Sequence, residues 1–152
     1  MPASYGIHPT PNADALDWDV VSAGLASARN YWVVTAGPDR RPHSVPVWGL
    51  WLDETFYFAT ERASRKGRNL AANPALVVHL ESGDDVVILE GTAEDVSDPS
   101  LLSRFADAYE AKYQLRPDIA NTAQVVYALR PRLAHTWLEQ DFPGTAVRWR
   151  FD

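Results

Sequence analysis

The sequence contains no cysteine, and this absence excludes several kinds of site. Without a thiol there can be no disulfide, no thiolate nucleophile and no zinc–thiolate centre. The histidines do not compensate, because no two of them stand at the spacing of a metal-binding pair. They are His8, His43, His79 and His135. The sequence therefore predicts a protein without a bound metal.

Familiar motifs and long apolar runs are also missing. The chain has no GxxxxGK[ST], GxGxxG or GxSxG segment, which disfavours nucleoside triphosphate hydrolysis, a classical dinucleotide fold and α/β-hydrolase chemistry. No apolar run approaches the roughly 20 residues of a membrane-spanning helix, and residues 1–19 lack the pattern of a secretory signal. Lys and Arg number 14 against 20 Asp and Glu, a net charge of −6 that disfavours nucleic acid and anionic membranes as partners. We expect a soluble, cytoplasmic protein.

The apolar content is sufficient for one hydrophobic core. Of the 152 residues, 46% are hydrophobic, and they include 6 Trp, 6 Tyr and 5 Phe. Aromatic residues at this density indicate an ordered globular domain of ordinary size. Residues 1–15 contain three prolines and are predicted to form an N-terminal arm, which leaves residues 16–152 as the domain.

Hydrophobic periodicity and turn signals predict a mostly β protein of the α+β type. Helices are predicted over residues 17–28, over residues 65–72 and after an Asp98-Pro99 start. Strand patterns cover residues 31–36, 42–52, 55–60, 75–81, 85–94, 124–129, 134–138 and 146–151. Because hairpins dominate over βαβ alternation, we expect an antiparallel barrel of six or seven strands with two or three peripheral helices.

The segment ERASRKGRN, residues 61–69, holds four of the 14 basic residues of an otherwise acidic chain. It coincides with a predicted helix start, where free N–H groups attract anions and cations are disfavoured unless something negative is bound. Hydroxyl and cationic donors suited to phosphate are Thr60, Ser64, Arg65 and Lys66. Gly67 is expected to leave room beside them. The alternative is a solvated basic face that pairs with nearby carboxylates, and this motif leaves both interpretations open.

The predicted strand from residue 42 offers polar and aromatic groups on both faces. His43, Val45 and Val47 alternate along it with Ser44, Pro46 and Trp48. A flat aromatic ligand could lie against such a strand, and its prolines indicate a sheet edge or a bulge. From this strand alone, a barrel edge with aromatic core residues is the favoured interpretation.

Three segments together resemble one known family. WVVTAGPDRRPHSVPVW, FYFATERASRKGRNLAANP and VVHLESGDDVVILEGTAE follow in the order and spacing of the pyridoxamine 5'-phosphate oxidase-like, FMN-binding split-barrel superfamily. SRKGRNL is similar to the S-x-K-x-R-N-L signature of the branch that uses the deazaflavin coenzyme F-420. The resemblance implies a split β-barrel that forms a homodimer, with two equivalent cofactor sites at the interface.

The resemblance also implies a cofactor-binding set and an activity. Ser64 and Lys66 would hold the cofactor phosphate, Thr60 and Arg65 would support them, and the strand from His43 to Trp48 would line the ring system. The full set is His43, Val45, Pro46, Val47, Trp48, Thr60, Ser64, Arg65, Lys66 and Asn69. The implied activity is hydride transfer from reduced deazaflavin, or alternatively FMN, to a small conjugated or aromatic acceptor, with no catalytic side chain assigned. The alternative is a non-catalytic protein that binds or stores flavin or pyridoxal phosphate.

Overall fold

Three helices lie at the edges of the fold in the computed structural model, which describes residues 17–152; the predicted N-terminal arm lies outside these residues. The helices are α1 (Trp18–Ser27), α2 (Arg65–Ala72) and α3 (Pro99–Tyr113). Each begins after a side chain that accepts a backbone N–H, namely Asp17, Ser64 and Asp98 respectively. Within the described part of the chain, no helix has the length and apolar character needed to cross a bilayer.

The strands form a single antiparallel sheet. They are β1 (Tyr31–Ala36), β2 (Pro42–Val47), β3 (Leu50–Leu52), β4 (Thr55–Glu61), β5 (Ala75–His79), β6 (Asp85–Asp95), β7 (Gln124–Leu138) and β8 (Val147–Arg150). The strand order is β2-β1-β5-β6-β7-β4-β3, and β8 pairs with β7 beside this path. The sheet curls into a half-barrel, so the predicted fold class, a mostly β antiparallel split barrel with peripheral helices, is confirmed. The sheet has eight strands, whereas six or seven were predicted.

The two outermost strands of the sheet, β2 and β3, are separated along the chain by Trp48 and Gly49 alone. The prediction of one strand over residues 42–52 is therefore wrong at this crossing. The N–H of Gly49 donates to the Tyr113 hydroxyl (3.0 Å), and that hydroxyl donates to the Gly49 carbonyl (2.8 Å), instead of a strand ladder. A Cβ at Gly49 would lie 2.6 Å from the Phe56 ring, so only glycine fits where the chain passes between the sheet edges.

Strand β7 is continuous over 15 residues, whereas the sequence predicted two strands, 124–129 and 134–138. Pro131 interrupts the sequence pattern because it has no N–H to donate. In the fold, the register between β6 and β7 shifts at Glu90 and Gly91, opposite this proline. The bulge accommodates Pro131, and pairing continues on both sides of it.

The main core fills the concave side of the curled sheet under α1. Its largest fully buried side chains include Leu25, Tyr31, Phe56, Phe58, Leu76, Leu89 and Leu129. A second cluster lies under α3, where Phe105 packs with Leu50, Tyr57 and Val126. The helix predicted after Asp98-Pro99 is thus confirmed as α3. Full burial of each large apolar side chain contributes about 1.5–3 kcal/mol, so these two clusters hold both helices on the sheet.

A single lysine connects α1, β1, α3 and the Gly49 crossing. The Lys112 ammonium donates to the Tyr31 hydroxyl (2.9 Å) and to the carbonyls of Gly49 (3.3 Å) and Ala26 (3.4 Å). Burial lowers the pKa of Lys112 to about 8, and the nearby charge of Arg29 adds to this effect.

Candidate functional site

Two hydroxyls fix the start of α2. Ser64 Oγ accepts the N–H of Gly67 (3.1 Å), donates to the carbonyl of Glu61 (2.7 Å) and lies 3.1 Å from Thr60 Oγ1. A hydroxyl has one proton, and the Ser64 proton is directed at Glu61. In this arrangement Ser64 and Thr60 set the position of the helix start, and the neighbouring cations supply its charge.

Gly67 has a different role from the expected one. The sequence suggested that it leaves room for a ligand, but a Cβ here would lie 2.5 Å from the carbonyl oxygen of Glu61 and 2.8 Å from that of Arg62. The space beside Gly67 is therefore filled by the chain itself. The glycine allows α2 to pack closely on the end of β4.

The cations of α2 differ from the arginine that precedes the helix. Arg62 forms an ion pair with Asp95 at 3.0 Å. Among residues 17–152, no carboxylate lies within 4.0 Å of the charged groups of Arg65, Lys66 or Arg68. The alternative of a basic face that pairs with carboxylates therefore describes Arg62 and not the three cations of the helix.

His43 of β2 lies close to the same helix start. Burial lowers the pKa of His43, and the positive charges of Arg65 and Lys66 lower it further. His43 is paired in register with Thr35 of the neighbouring strand β1. The fold therefore brings β2, predicted as the ring-binding strand, beside the predicted phosphate-binding segment.

Asn69 attaches α2 to strand β1. Its side chain is buried, and its amide donates to Thr35 Oγ1 at 3.0 Å. The backbone of Gly37, just after β1, passes so close to the Asn69 side-chain oxygen that a Cβ there would collide with it. Asn69 therefore holds the helix against the β1–β2 turn, and the site between them is preformed.

A cavity of about 480 Å³ opens between α2 and the β1–β2 turn. It is lined by Pro38, Asp39, Arg41, Arg65, Arg68 and Asn69. Neither Arg41 nor Arg68 was among the predicted site residues. The doubled arginine at residues 40–41, directly before the strand of His43, was an available signal for this patch. The Asp39 carboxylate accepts the N–H of Arg41 (3.0 Å) and lies 3.8 Å from the Arg41 guanidinium.

The other predicted residues of β2 face in different directions. Val45 and Val47 pack against the main core, and Pro46 is exposed. The Trp48 ring stacks on Tyr113 of α3, with centroids 4.6 Å apart and planes within 2°. The fold thus gathers His43, Thr60, Ser64, Arg65, Lys66 and Asn69 around the start of α2, and directs Trp48 towards α3. Their roles in cofactor binding stay predictions.

The comparison with known families agrees with this geometry. A sequence model described as pyridoxamine 5'-phosphate oxidase matches residues 18–138, from the first residue of α1 to the last residue of β7. The chain belongs to the pyridoxamine 5'-phosphate oxidase family. The resemblance inferred from the three sequence segments is confirmed.

Similar proteins within this oxidase family are longer than the matched region. The chain is 43% identical over 82 residues to the pyridoxine/pyridoxamine 5'-phosphate oxidase of Gluconobacter oxydans, a match covering 52% of this chain and 38% of the relative. It is 34% identical over 102 residues to that of Cupriavidus pinatubonensis, covering 65% of this chain and 44% of the relative. The chain therefore spans less than half the length of these relatives.

Solved structures show the same fold as this oxidase family member. A conserved hypothetical protein of Mycobacterium tuberculosis superposes with a TM-score of 0.74 at 25% identity, covering 85% of this chain and 89% of that one. A protein named as an F-420 reductase superposes with a TM-score of 0.60 at 23% identity, covering 73% and 93% respectively. The second similarity establishes the fold alone.

The outer face of the sheet in this family member is partly apolar. Its side chains alternate with the core residues of their strands and remain partly exposed; they include Trp32, Val34, Val77, His79 and Ile88. The rings of Trp32 and His79 are parallel to within 6°, with centroids 6.2 Å apart. A contiguous surface of this kind is typical of an interaction face.

Proposed function

We propose that this pyridoxamine 5'-phosphate oxidase family member is an oxidoreductase whose α2 start holds the phosphate of reduced deazaflavin coenzyme F-420, with FMN as the alternative. The bound cofactor would supply hydride transfer to a small conjugated or aromatic acceptor. One observation carries the proposal: three cations on α2 face no carboxylate within the described residues, and two of them, Arg65 and Lys66, help to lower the pKa of the neighbouring His43.

The charge distribution supports an anion at this position. The net charge of the chain is −6, yet four of its 14 basic residues lie within residues 62–68. The N–H groups of Arg65 and Lys66 lie outside the ladder of α2 and add partial positive charge. The partial positive charge at this end of a helix repels positive side chains. A bound phosphate is attracted both by the helix end and by the side chains, so it turns an unfavourable arrangement into a favourable one. The residues present therefore fit a phosphorylated cofactor.

Each predicted residue would then have a definite task. Lys66 supplies a point charge and Arg65 a planar fork for phosphate oxygens. Ser64 and Thr60 position the helix start, and Asn69 keeps α2 against the sheet. These residues bind and orient the cofactor, which agrees with the lack of an assigned catalytic side chain.

The choice of deazaflavin over FMN depends on the sequence signature. SRKGRNL occupies residues 64–70, and the structure gives its Ser, Gly and Asn definite local roles in placing α2. The Lys and the two Arg of the signature remain unpaired within the described part of the chain. This distribution supports the proposal, because one short segment both positions α2 and carries the positive charges that would bind a phosphate.

We further propose that the protein is a homodimer in which the outer sheet face is covered by a second copy, with the cofactor sites at the interface. The partly exposed apolar side chains of β1, β5 and β6 support this arrangement, because a symmetric partner would remove them from water. The small acceptor would enter beside β2, the strand next to the α2 start.

The Lys66→Ala variant tests the phosphate site. Loss of a charge-assisted contact should weaken cofactor binding about tenfold or more, and the melting temperature without ligand should hardly move. Wild type and variant are titrated with coenzyme F-420, FMN and pyridoxal phosphate. Arg116→Ala is the matched control, since it removes an exposed cation that pairs with Asp107 and Glu110 of α3. This control should leave all affinities unchanged.

Three outcomes would count against the proposal or redirect it. An unchanged affinity of Lys66→Ala for all three cofactors would contradict the phosphate site. A fall in the ligand-free melting temperature would assign Lys66 to folding. For wild type, oxidation of the reduced cofactor must accelerate when an acceptor is added; binding without acceleration would favour the alternative, a flavin or pyridoxal phosphate carrier.

A further inference from the structure

A second cavity, of about 650 Å³, lies at the other end of the barrel from the α2 start. Its lining residues are Trp18, Trp51, Asp53, Glu54, Thr55, Tyr57, Leu101, Arg130, Pro131, Arg150, Phe151 and Asp152. Strand β4 begins at Thr55, beside this cavity, and reaches Thr60, beside α2, five residues later. At about 3.3 Å per residue the two places are about 17 Å apart, so this cavity is separate from the proposed cofactor site.

The walls of this distal cavity are aromatic and held in place. Trp18 lies 4.9 Å from Phe151 and 6.4 Å from Trp51, measured between ring centroids. The indole N–H of Trp18 donates to the Glu54 carboxylate (2.6 Å), and that of Trp51 donates to Ser22 Oγ (2.8 Å). Both indole donors are therefore satisfied, and the rings present apolar surface to the cavity.

The carboxylates of the turn at the rim of the distal cavity are both engaged in hydrogen bonds. Asp53 and Glu54 both have positive φ, 49° and 60°, a conformation that favours glycine. Asp53 accepts from the Arg104 guanidinium at 2.5 Å, and Glu54 accepts from Ser22 Oγ at 3.0 Å as well as from Trp18. These angles belong to the two-residue hairpin turn that joins β3 to β4, where Leu52 pairs with Thr55.

Three polar groups at the distal cavity are available to a ligand. Within residues 17–152, the guanidinium groups of Arg130 and Arg150 have no carboxylate within 4.0 Å, and the hydroxyl of Tyr57 makes no hydrogen bond. Asp152 also lines the cavity and forms no ion pair in this part of the chain. Two guanidinium groups and a phenol thus line an aromatic pocket of the size that holds small molecules, about 300–1,000 Å³.

We propose that the distal cavity binds a small aromatic carboxylate. The ring lies against Trp18 and Phe151, and the carboxylate binds Arg130 and Arg150, whose planar forks match the two oxygens of a carboxylate. Because the site is separate from α2, binding here does not require the cofactor.

The experiment uses two aromatic acids with their neutral amides. 4-Hydroxybenzoate, 4-hydroxybenzamide, naphthalene-2-carboxylate and naphthalene-2-carboxamide are titrated into the full chain by calorimetry. At least one acid should bind about tenfold or more tightly than its amide, because the amide lacks the charge. Arg130→Gln and Arg150→Gln should each weaken that acid about tenfold and leave its amide unchanged. Arg40→Gln, the same change at an exposed arginine of the β1–β2 turn, should have no effect.

The distal site is refuted if both acids bind no better than their amides, or if no compound binds at millimolar concentration. It is also refuted if Arg40→Gln weakens the acid as much as Arg150→Gln, since the effect would then be one of net charge. Lys66→Ala should leave acid binding intact while it weakens the cofactor. The two proposals can therefore fail independently of each other.

Discussion

Replacement of Lys112 by methionine should remove a pH dependence from the stability of this protein. In the folded state the Lys112 pKa is lowered from 10.5 to about 8, mainly by burial. Between these two values the unfolded chain binds more protons than the folded one. The free energy of unfolding must therefore rise with pH across this window. Below the window Lys112 is protonated in both states, so it no longer contributes to the pH dependence.

The size of the rise follows from the structure. A full shift from 10.5 to about 8 corresponds to about 3 kcal/mol, at about 1.4 kcal/mol per pH unit. Lys112 is only about half buried, so solvent screening reduces this to about 1–2 kcal/mol. Burial also raises the pKa values of Tyr31, Tyr109 and Tyr113, which lowers stability at higher pH, so the measurement should end near about pH 9.5.

The assay is urea unfolding followed by tryptophan fluorescence at several pH values between 7 and about 9.5. Wild type should gain stability above pH 8, and Lys112→Met should show a flatter profile. Lys66→Met is the matched control, because Lys66 is the other lysine of the chain and lies outside the Lys112 network. Parallel profiles for wild type and Lys112→Met would refute the reasoning, as would a wild-type profile that falls between pH 8 and 9.

Two further predictions concern packing and assembly. Gly67→Ala should destabilise the fold by about 1–3 kcal/mol, because its Cβ would meet the carbonyls of Glu61 and Arg62. Gly24→Ala in α1 should be neutral or stabilising by up to about 1 kcal/mol, because a Cβ at Gly24 would have no atom within 4 Å. Chemical denaturation of both variants measures this, and equal effects would contradict the close packing at Gly67. Light scattering should show a dimer, and Trp32→Glu on the outer sheet face should shift it towards monomer; a wild-type monomer at micromolar concentration would overturn the homodimer proposal.

Local sequence patterns predicted the elements whose signals are contained within a few residues. The caps at Ser64 and Asp98 are side chains that accept backbone N–H groups close by in the chain, so the starts of α2 and α3 were predictable. The signature SRKGRNL likewise placed the unpaired cations on a helix start before any fold was known. The patterns failed at Gly49 and Pro131, where partners distant in sequence decide the path of the chain. These partners are Tyr113 for Gly49 and the neighbouring strand β6, at Gly91, for Pro131.

The sequence by itself determined the fold class, the family resemblance and the basic segment, because hydrophobic period, turn residues and local charge are written along the chain. Only the tertiary structure decided which cations stay unpaired, since Arg62 finds Asp95 from a distant strand while Arg65 and Lys66 find no carboxylate among the described residues. It also decided that Gly67 packs against backbone and that Asn69 binds Thr35. Distances between elements far apart in sequence follow from the packing of the whole sheet, and no local pattern contains them.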